Sequence, residues 1–248
     1  MIFCNDCFNV FPEIDDKSID MILCDLPYGI TAAKWDTALP LDELWIEYKR
    51  IIKDNGAIVL FSAQPFTTDL INSQRKLFRY EIIWEKTQKT GFYNANRMPL
   101  KAHENILVFY KKLPTYNPQK YHVKRNDMGR IRKKKADRCV LYGHVKAQDW
   151  VETGERYPCD VIHFSNWNGA LFGNNNNATK HPTQKPIELL EYLIKTYSNE
   201  GDLILDNCMG VGSTGIAAKY TKRNFIGIEK DKTFFEIAKK RIESEGER

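Results

Sequence analysis

Residues 203–215 read Leu203-Ile-Leu-Asp-Asn-Cys-Met-Gly210-Val-Gly212-Ser-Thr-Gly215, and this stretch decides the fold class. A short apolar strand runs into Gly210, Gly212 and Gly215 at G-x-G-x-x-G spacing, and Ser213–Tyr220 then reads as a helix. Glycine permits the tight turn and a close approach of ligand to backbone, while the helix start leaves N–H groups without intrahelical partners. The next strand, Phe225–Glu229, ends in an acid about twenty residues after the first glycine, where a carboxylate can take ribose hydroxyls. Strand, loop, helix and acid together imply a nucleoside-containing cofactor. The pattern alone leaves NAD and S-adenosylmethionine both open, and a glycine turn made only for packing is the blander alternative.

Outward from this unit, short apolar runs alternate with amphipathic helices. Ile2–Phe3, Ile19–Cys24, Ala57–Phe61, Tyr80–Trp84 and Ile106–Tyr110 read as strands. Leu41–Lys53, Pro65–Phe78, Ile187–Tyr197 and 231–243 read as helices, the first with Pro40 before it and Gly56 after it. Seven strands in this alternation predict an α/β fold with a doubly wound, mostly parallel, Rossmann-like sheet. From Lys111 to about Phe164 the pattern fails, and the chain is polar, basic and dotted with aromatics. The expected organisation is therefore 1–111, an insert at 112–164, and 165–248, with Phe172–Lys180 as a linker.

The net charge of +5 matters less than its placement. Between Lys124 and Arg138 eight residues are basic: Lys124, Arg125, Arg130, Arg132, Lys133, Lys134, Lys135 and Arg138. Such a run is a solvated face or a contact to an acidic partner. Cys4 and Cys7 form the one C-x-x-C among six cysteines, and no second pair or suitably spaced His completes a zinc site, so no metal is expected. No signal-like start and no apolar run near 18 residues is present, which gives a cytoplasmic expectation.

A second constellation precedes the insert. Ser18-Ile-Asp-Met-Ile-Leu-Cys-Asp25-Leu-Pro27-Tyr28-Gly29 is a buried strand that ends in an acid, a rigid proline and an aromatic ring. Ligands in open α/β sheets bind at the carboxyl ends of strands. The alternative is a helix-capping Asp25 followed by a simple turn.

Asp25-Leu-Pro-Tyr28 resembles the Asp-Pro-Pro-Tyr motif of amino-methyltransferases acting on DNA. Asp206–Thr214 is similar to their Asp-Pro-Phe-Met-Gly-Ser-Gly-Thr-Thr cofactor loop, and His181-Pro-Thr-Gln-Lys-Pro186 to the segment before it. Catalytic motif first, insert in the middle and cofactor loop last is the permuted motif order of the family's β class, which methylates adenine N6 or cytosine N4. Leu26, Asn207 and Cys208 depart from the pattern.

The resemblance implies S-adenosylmethionine as cofactor, double-stranded DNA as substrate, and a small inserted recognition region that carries the basic run. It implies catalytic roles for Asp25, the Leu26 carbonyl, Pro27 and Tyr28. It places Glu229 on the ribose, Gly210, Gly212, Ser213 and Thr214 in the loop, Asp206 and Lys185 near the methionine end, and Asp6 near the adenine. Met209 or Ile228 would pack on the adenine, with ordinary core packing as the alternative. Trp35, after the tetrapeptide, would touch DNA or serve the fold. Members acting on cytosine N4 usually carry Ser where Asp25 stands, so adenine is favoured. The class also admits a homodimer and a paired restriction endonuclease. An NAD-dependent oxidoreductase and a non-catalytic DNA-binding module are the readings from other classes.

Overall fold

Ile19–Cys24 shows why the central sheet is covered on both faces: Ile22 and Cys24 enter one apolar cluster, and Met21 and Leu23 enter another. Side chains alternate along a strand, so the unbroken apolar run at residues 21–24 must be buried from both sides. The structure is a computed structural model and describes residues 1–29, 36–124, 128–133, 137–139, 143–145, 149–166 and 184–244. Two compact units emerge, Met1–Asn117 with Asp160–Arg248, and Pro118–Cys159.

The first unit begins with β1 (Ile2–Cys4), α1 (Cys7–Val10), β2 (Ile19–Cys24), α2 (Leu41–Ile51), β3 (Ile52–Ser62), α3 (Phe66–Ser73), β4 (Phe78–Thr90) and β5 (Lys101–Phe109). The second unit holds β6 (Tyr121–His122), β7 (Ile131–Arg132), β8 (Asp137–Cys139), β9 (Gly143–Val145), β10 (Trp150–Val151) and β11 (Glu155–Arg156). These pair antiparallel as β7 with β10, β6 with β11 and β8 with β9. The chain then returns to the first unit with β12 (Val161–Phe164), α4 (Ile187–Tyr197), β13 (Leu203–Asp206), α5 (Ser213–Tyr220), β14 (Asn224–Glu229) and α6 (Lys232–Ser244).

The sheet order is β1-β14-β13-β2-β3-β5-β4-β12. All pairings are parallel except those of β5 with β3 and β4. Leu44, Trp45 and Tyr48 of α2 with Phe66 and Leu70 of α3 cover one face, and Leu189, Leu190 and Leu193 of α4 with Ala217 and Ala218 of α5 cover the other. Asp42 and Glu43 begin α2 while Lys49 and Arg50 end it, which complements the helix dipole. No helix of the described residues is long and apolar enough to cross a membrane.

The doubly wound α/β class is as expected, but the sheet has eight strands rather than seven. The added edge strand β12 sits at the end of the stretch assigned to the insert, and it lies parallel to β4. Residues 112–117 and 160–164 likewise belong to the first unit. The helix expected to reach Lys53 stops at Ile51, because Ile52 turns extended and opens β3. The strand expected at Tyr80–Trp84 runs on to Thr90 as one arm of a long hairpin with β5. The linker at 172–180 and Trp35 lie outside the described residues.

Candidate active site

β13 lies beside β2 and runs the same way, with Ile204 opposite Met21 and Leu205 opposite Ile22. Both strands therefore end at the same rim of the sheet. Asp25–Tyr28 leaves one end and Asp206–Thr214 leaves the other. Between them is a cavity of about 740 Å³, a size typical of small-molecule sites. Asp25, Leu26, Pro27, Tyr28, Asp6, Lys185, Asp206, Met209, Gly210, Ser213, Thr214 and Glu229 all line it. The motifs from the two ends of the chain thus meet in one place. Of the residues read from sequence for this site, Gly212 does not line the cavity and Ile228 is fully buried in the core.

Asp25 is held from two sides. Tyr28 Oη donates to Oδ1 at 2.8 Å, and Lys185 Nζ donates to Oδ2 at 2.5 Å. Lys185 also lies 3.2 Å from Glu104 Oε2 and 5.0 Å from the Phe61 ring centroid. Glu104 in turn pairs through Oε1 with Lys86. Tyr28, Asp25, Lys185, Glu104 and Lys86 form one chain of alternating partners. Burial alone would lower the Lys185 ammonium, but Asp25 and Glu104 outweigh it and raise it. Burial alone would raise the Glu104 carboxyl, but Lys185 and Lys86 hold it below its ordinary value. The Asp25 side chain remains 30% exposed, so the pair leaves it open to a ligand in the cavity. The Tyr28 ring stacks on Phe66 at 5.2 Å and 22°. Lys185 was expected near the methionine end of a cofactor; its ammonium rests on Asp25, and both line the cavity with Asp206.

Across the cavity, Glu229 at the end of β14 accepts from Gly210 N at 2.9 Å and from Asp231 N at 2.7 Å. Burial raises its carboxyl above the ordinary value. The glycines of the loop divide into two kinds. Gly212 has φ +81°, and a Cβ there would come within 2.9 Å of Ala238 Cβ on α6, so packing demands it. Gly210 has φ +52° and nothing within 4 Å of such a Cβ, so its space opens toward the cavity it lines. Ser213 Oγ, at the start of α5, is buried without a hydrogen-bond partner. An orphaned hydroxyl beside a helix N-terminus and a buried carboxylate fits a polar nucleoside ligand. Asp6 caps α1 by accepting from Phe8 N at 3.0 Å while it lines the cavity.

Sequence reasoning missed Glu104, Lys86 and Phe234, all of which line the cavity, and the buried bond from Tyr48 Oη to Asn207 Oδ1 at 2.5 Å. The signal for Glu104 was a carboxylate two residues before the apolar run of β5. In the second unit Lys124, Arg130 and Lys133 are exposed, while Arg132 lies on β7 and Arg138 on β8. Arg125, Lys134 and Lys135 lie outside the described residues, as do residues 181–183 of the segment before α4.

The fold and site are those of a family of nucleic-acid enzymes: the chain belongs to the DNA methylase family, whose model matches residues 19–240. It is 47% identical to the type II methyltransferase M2.LlaDCHI of Lactococcus lactis subsp. cremoris, over 96% of this chain and 87% of that protein. It is 30% identical to the type II methyltransferase M1.MboII of Moraxella bovis, over 90% of this chain and 89% of that one. The crystal structure of an M1.HpyAVI–SAM complex matches with a TM-score of 0.63 at 25% identity, covering 97% of this chain and 98% of that chain. The family decides against the oxidoreductase reading of the glycine loop.

Asp206, buried at the end of β13, gives a test of the site's cost. Burial raises its carboxyl from an ordinary 3.8 to about 6. Such a group binds its proton more tightly folded than unfolded, so stability is lost as pH rises from about 4 to about 6 and stays lost above that. The loss is on the order of 3 kcal/mol. Asp206→Asn keeps an acceptor for Cys208 N without the charge. The variant should melt about 5 °C or more above the wild type at pH 8, with the gain gone at pH 4. Equal melting temperatures at both pH values would contradict the assignment.

Proposed function

We propose that this DNA methylase transfers a methyl group from S-adenosylmethionine to the N6 amino group of an adenine turned out of double-stranded DNA. The observation that carries the reading is the Asp25 carboxylate, held by Tyr28 and Lys185 and open to the same cavity as the glycine loop and Glu229. The matched residues support S-adenosylmethionine. Glu229 would take the ribose hydroxyls, the α5 N-terminus with Ser213 and Thr214 the polar groups nearby, and Asp206 the methionine end. When bound there, the cofactor supplies an electrophilic methyl group.

An exocyclic amine is a poor nucleophile because its lone pair is delocalised into the ring. Asp25 and the Leu26 carbonyl accept from its N–H groups, which favours a tetrahedral nitrogen and stabilises the positive charge that develops on it. The N6 proton lost on methylation passes to Asp25 Oδ. Lys185 and Tyr28 hold that carboxylate in place, and Glu104 and Lys86 hold Lys185, so the acceptor needs little reorganisation. Pro27 stiffens the backbone that presents the Leu26 carbonyl.

Eversion of a base costs a few kcal/mol, and stacking on an aromatic ring returns about 1–3 kcal/mol. Tyr28 provides the ring, and its hydroxyl also donates to Asp25. The second unit, with its basic run, would supply target recognition and phosphate contacts. Adenine is supported by Asp25 standing where cytosine-N4 members carry Ser.

Single-molecule sequencing of DNA from cells expressing the protein should show N6-methyladenine at one short motif. N4-methylcytosine instead would overturn the adenine assignment, and no mark at all would overturn the activity. Glu104→Gln should lower kcat about tenfold or more and leave cofactor affinity unchanged, because it acts through Lys185 on the acceptor. An unchanged kcat would contradict that role.

A further inference from the structure

The hairpin formed by β4 and β5 reaches beyond the sheet and carries an aromatic tip. Phe92 is 70% exposed, Tyr93 105% and Met98 52%. The tip is a hydrogen-bonded turn: Asn94 N donates to Gly91 O at 2.9 Å, Ala95 N to Phe92 O at 3.1 Å, and Arg97 N to Asn94 O at 2.8 Å. Its stem belongs to the candidate active site, because Thr90, Lys101 and His103 line the same cavity as Asp25. Residues 86–102 contain Lys86, Lys89, Arg97 and Lys101 and no acid. Among the described residues, Lys89, Arg97 and Lys101 have no carboxylate partner.

An exposed aromatic pair on a hydrogen-bonded hairpin turn calls for something to cover it. Lys89, Arg97 and Lys101, three cations without a carboxylate partner among the described residues, match a polyanion. When a base leaves a duplex it leaves a gap between its neighbours, and a flat ring can stack in that gap. We propose that the Phe92–Tyr93 tip enters the DNA duplex beside the target and fills the space left by the everted base, with Lys89, Arg97 and Lys101 on the flanking phosphates. This rests on the reading of the site as one that acts on an everted base. The tip then stabilises the open duplex while the cavity at the hairpin's foot receives the base.

The test compares two duplexes that carry the methylated motif, one fully paired and one with an abasic position opposite the target. In the second, eversion is already cheap. The F92A/Y93A double variant should lose about tenfold or more in methyl-transfer rate on the paired duplex and less than about threefold on the abasic one. A 2-aminopurine at the target should brighten on binding wild type to the paired duplex, and stay dim with the variant. Tyr93→Trp should retain the wild-type rate, since it keeps a stacking ring on a fully exposed position.

Equal losses on both duplexes, or no loss on the paired one, would overturn the proposal. So would a wild-type dimer in sedimentation that the double variant turns into a monomer, since the tip would then be covered by a second copy of the chain. A wild type that methylates neither duplex would instead overturn the reading of the site, which the variant comparison keeps separate.

Discussion

Ile19–Cys24 and Leu203–Asp206 stand about 180 residues apart in the chain, yet they lie side by side and run in one direction. Parallel pairing has a geometric consequence: both strands must deliver their following residues to the same rim of the sheet. Asp25 and the Asp206–Thr214 loop are those following residues. A register slip of one residue would turn each apolar side chain to the opposite face. Met21, Leu23 and Ile204 bury on one face while Ile22, Cys24 and Leu205 bury on the other, so the two apolar clusters fix the register that the chemistry needs.

The rim also concentrates groups that oppose folding. Asp206 is buried with its carboxyl raised, and Glu229 is raised as well. Lys185 and Glu104 are both largely desolvated and are tolerated because each neutralises the other and a further partner. Replacing one member of such a chain leaves a neighbour charged and unpaired, which is where buried ion pairs are most sensitive. In return the Asp25 carboxylate is held at both oxygens, by Tyr28 and Lys185. Polar groups kept where they weaken the fold are expected at sites that act on ligands.

Much of this was legible in the sequence because the chemistry is local there. Asp25-Leu-Pro-Tyr28, the Gly210 loop and Glu229 each sit within a few residues of a strand end, so a strand and a turn suffice to find them. The partners of Lys185 were not legible, because Lys86 and Glu104 lie on hairpin strands outside the apolar runs that mark Tyr80–Trp84 and Ile106–Tyr110. Lys185 was found through resemblance, but only the packing before α4 shows that its ammonium meets Asp25. The hairpin was underestimated since Glu85–Thr90 and Lys101–Asn105 lack the apolar alternation that marks a covered strand. Val161–Phe164 was missed as an edge strand because four residues after a polar stretch give too short a period to recognise.

The proposal stands on one carboxylate at this rim acting on the amine that receives the methyl group and not holding the cofactor. The direct measurement pairs two readouts on Asp25→Ala: equilibrium binding of S-adenosylmethionine, and transfer of its labelled methyl group to DNA. Binding should stay within about twofold of the wild type, while transfer falls by about 100-fold or more. Transfer that survives the substitution, or falls only in step with lost cofactor binding, would contradict the account.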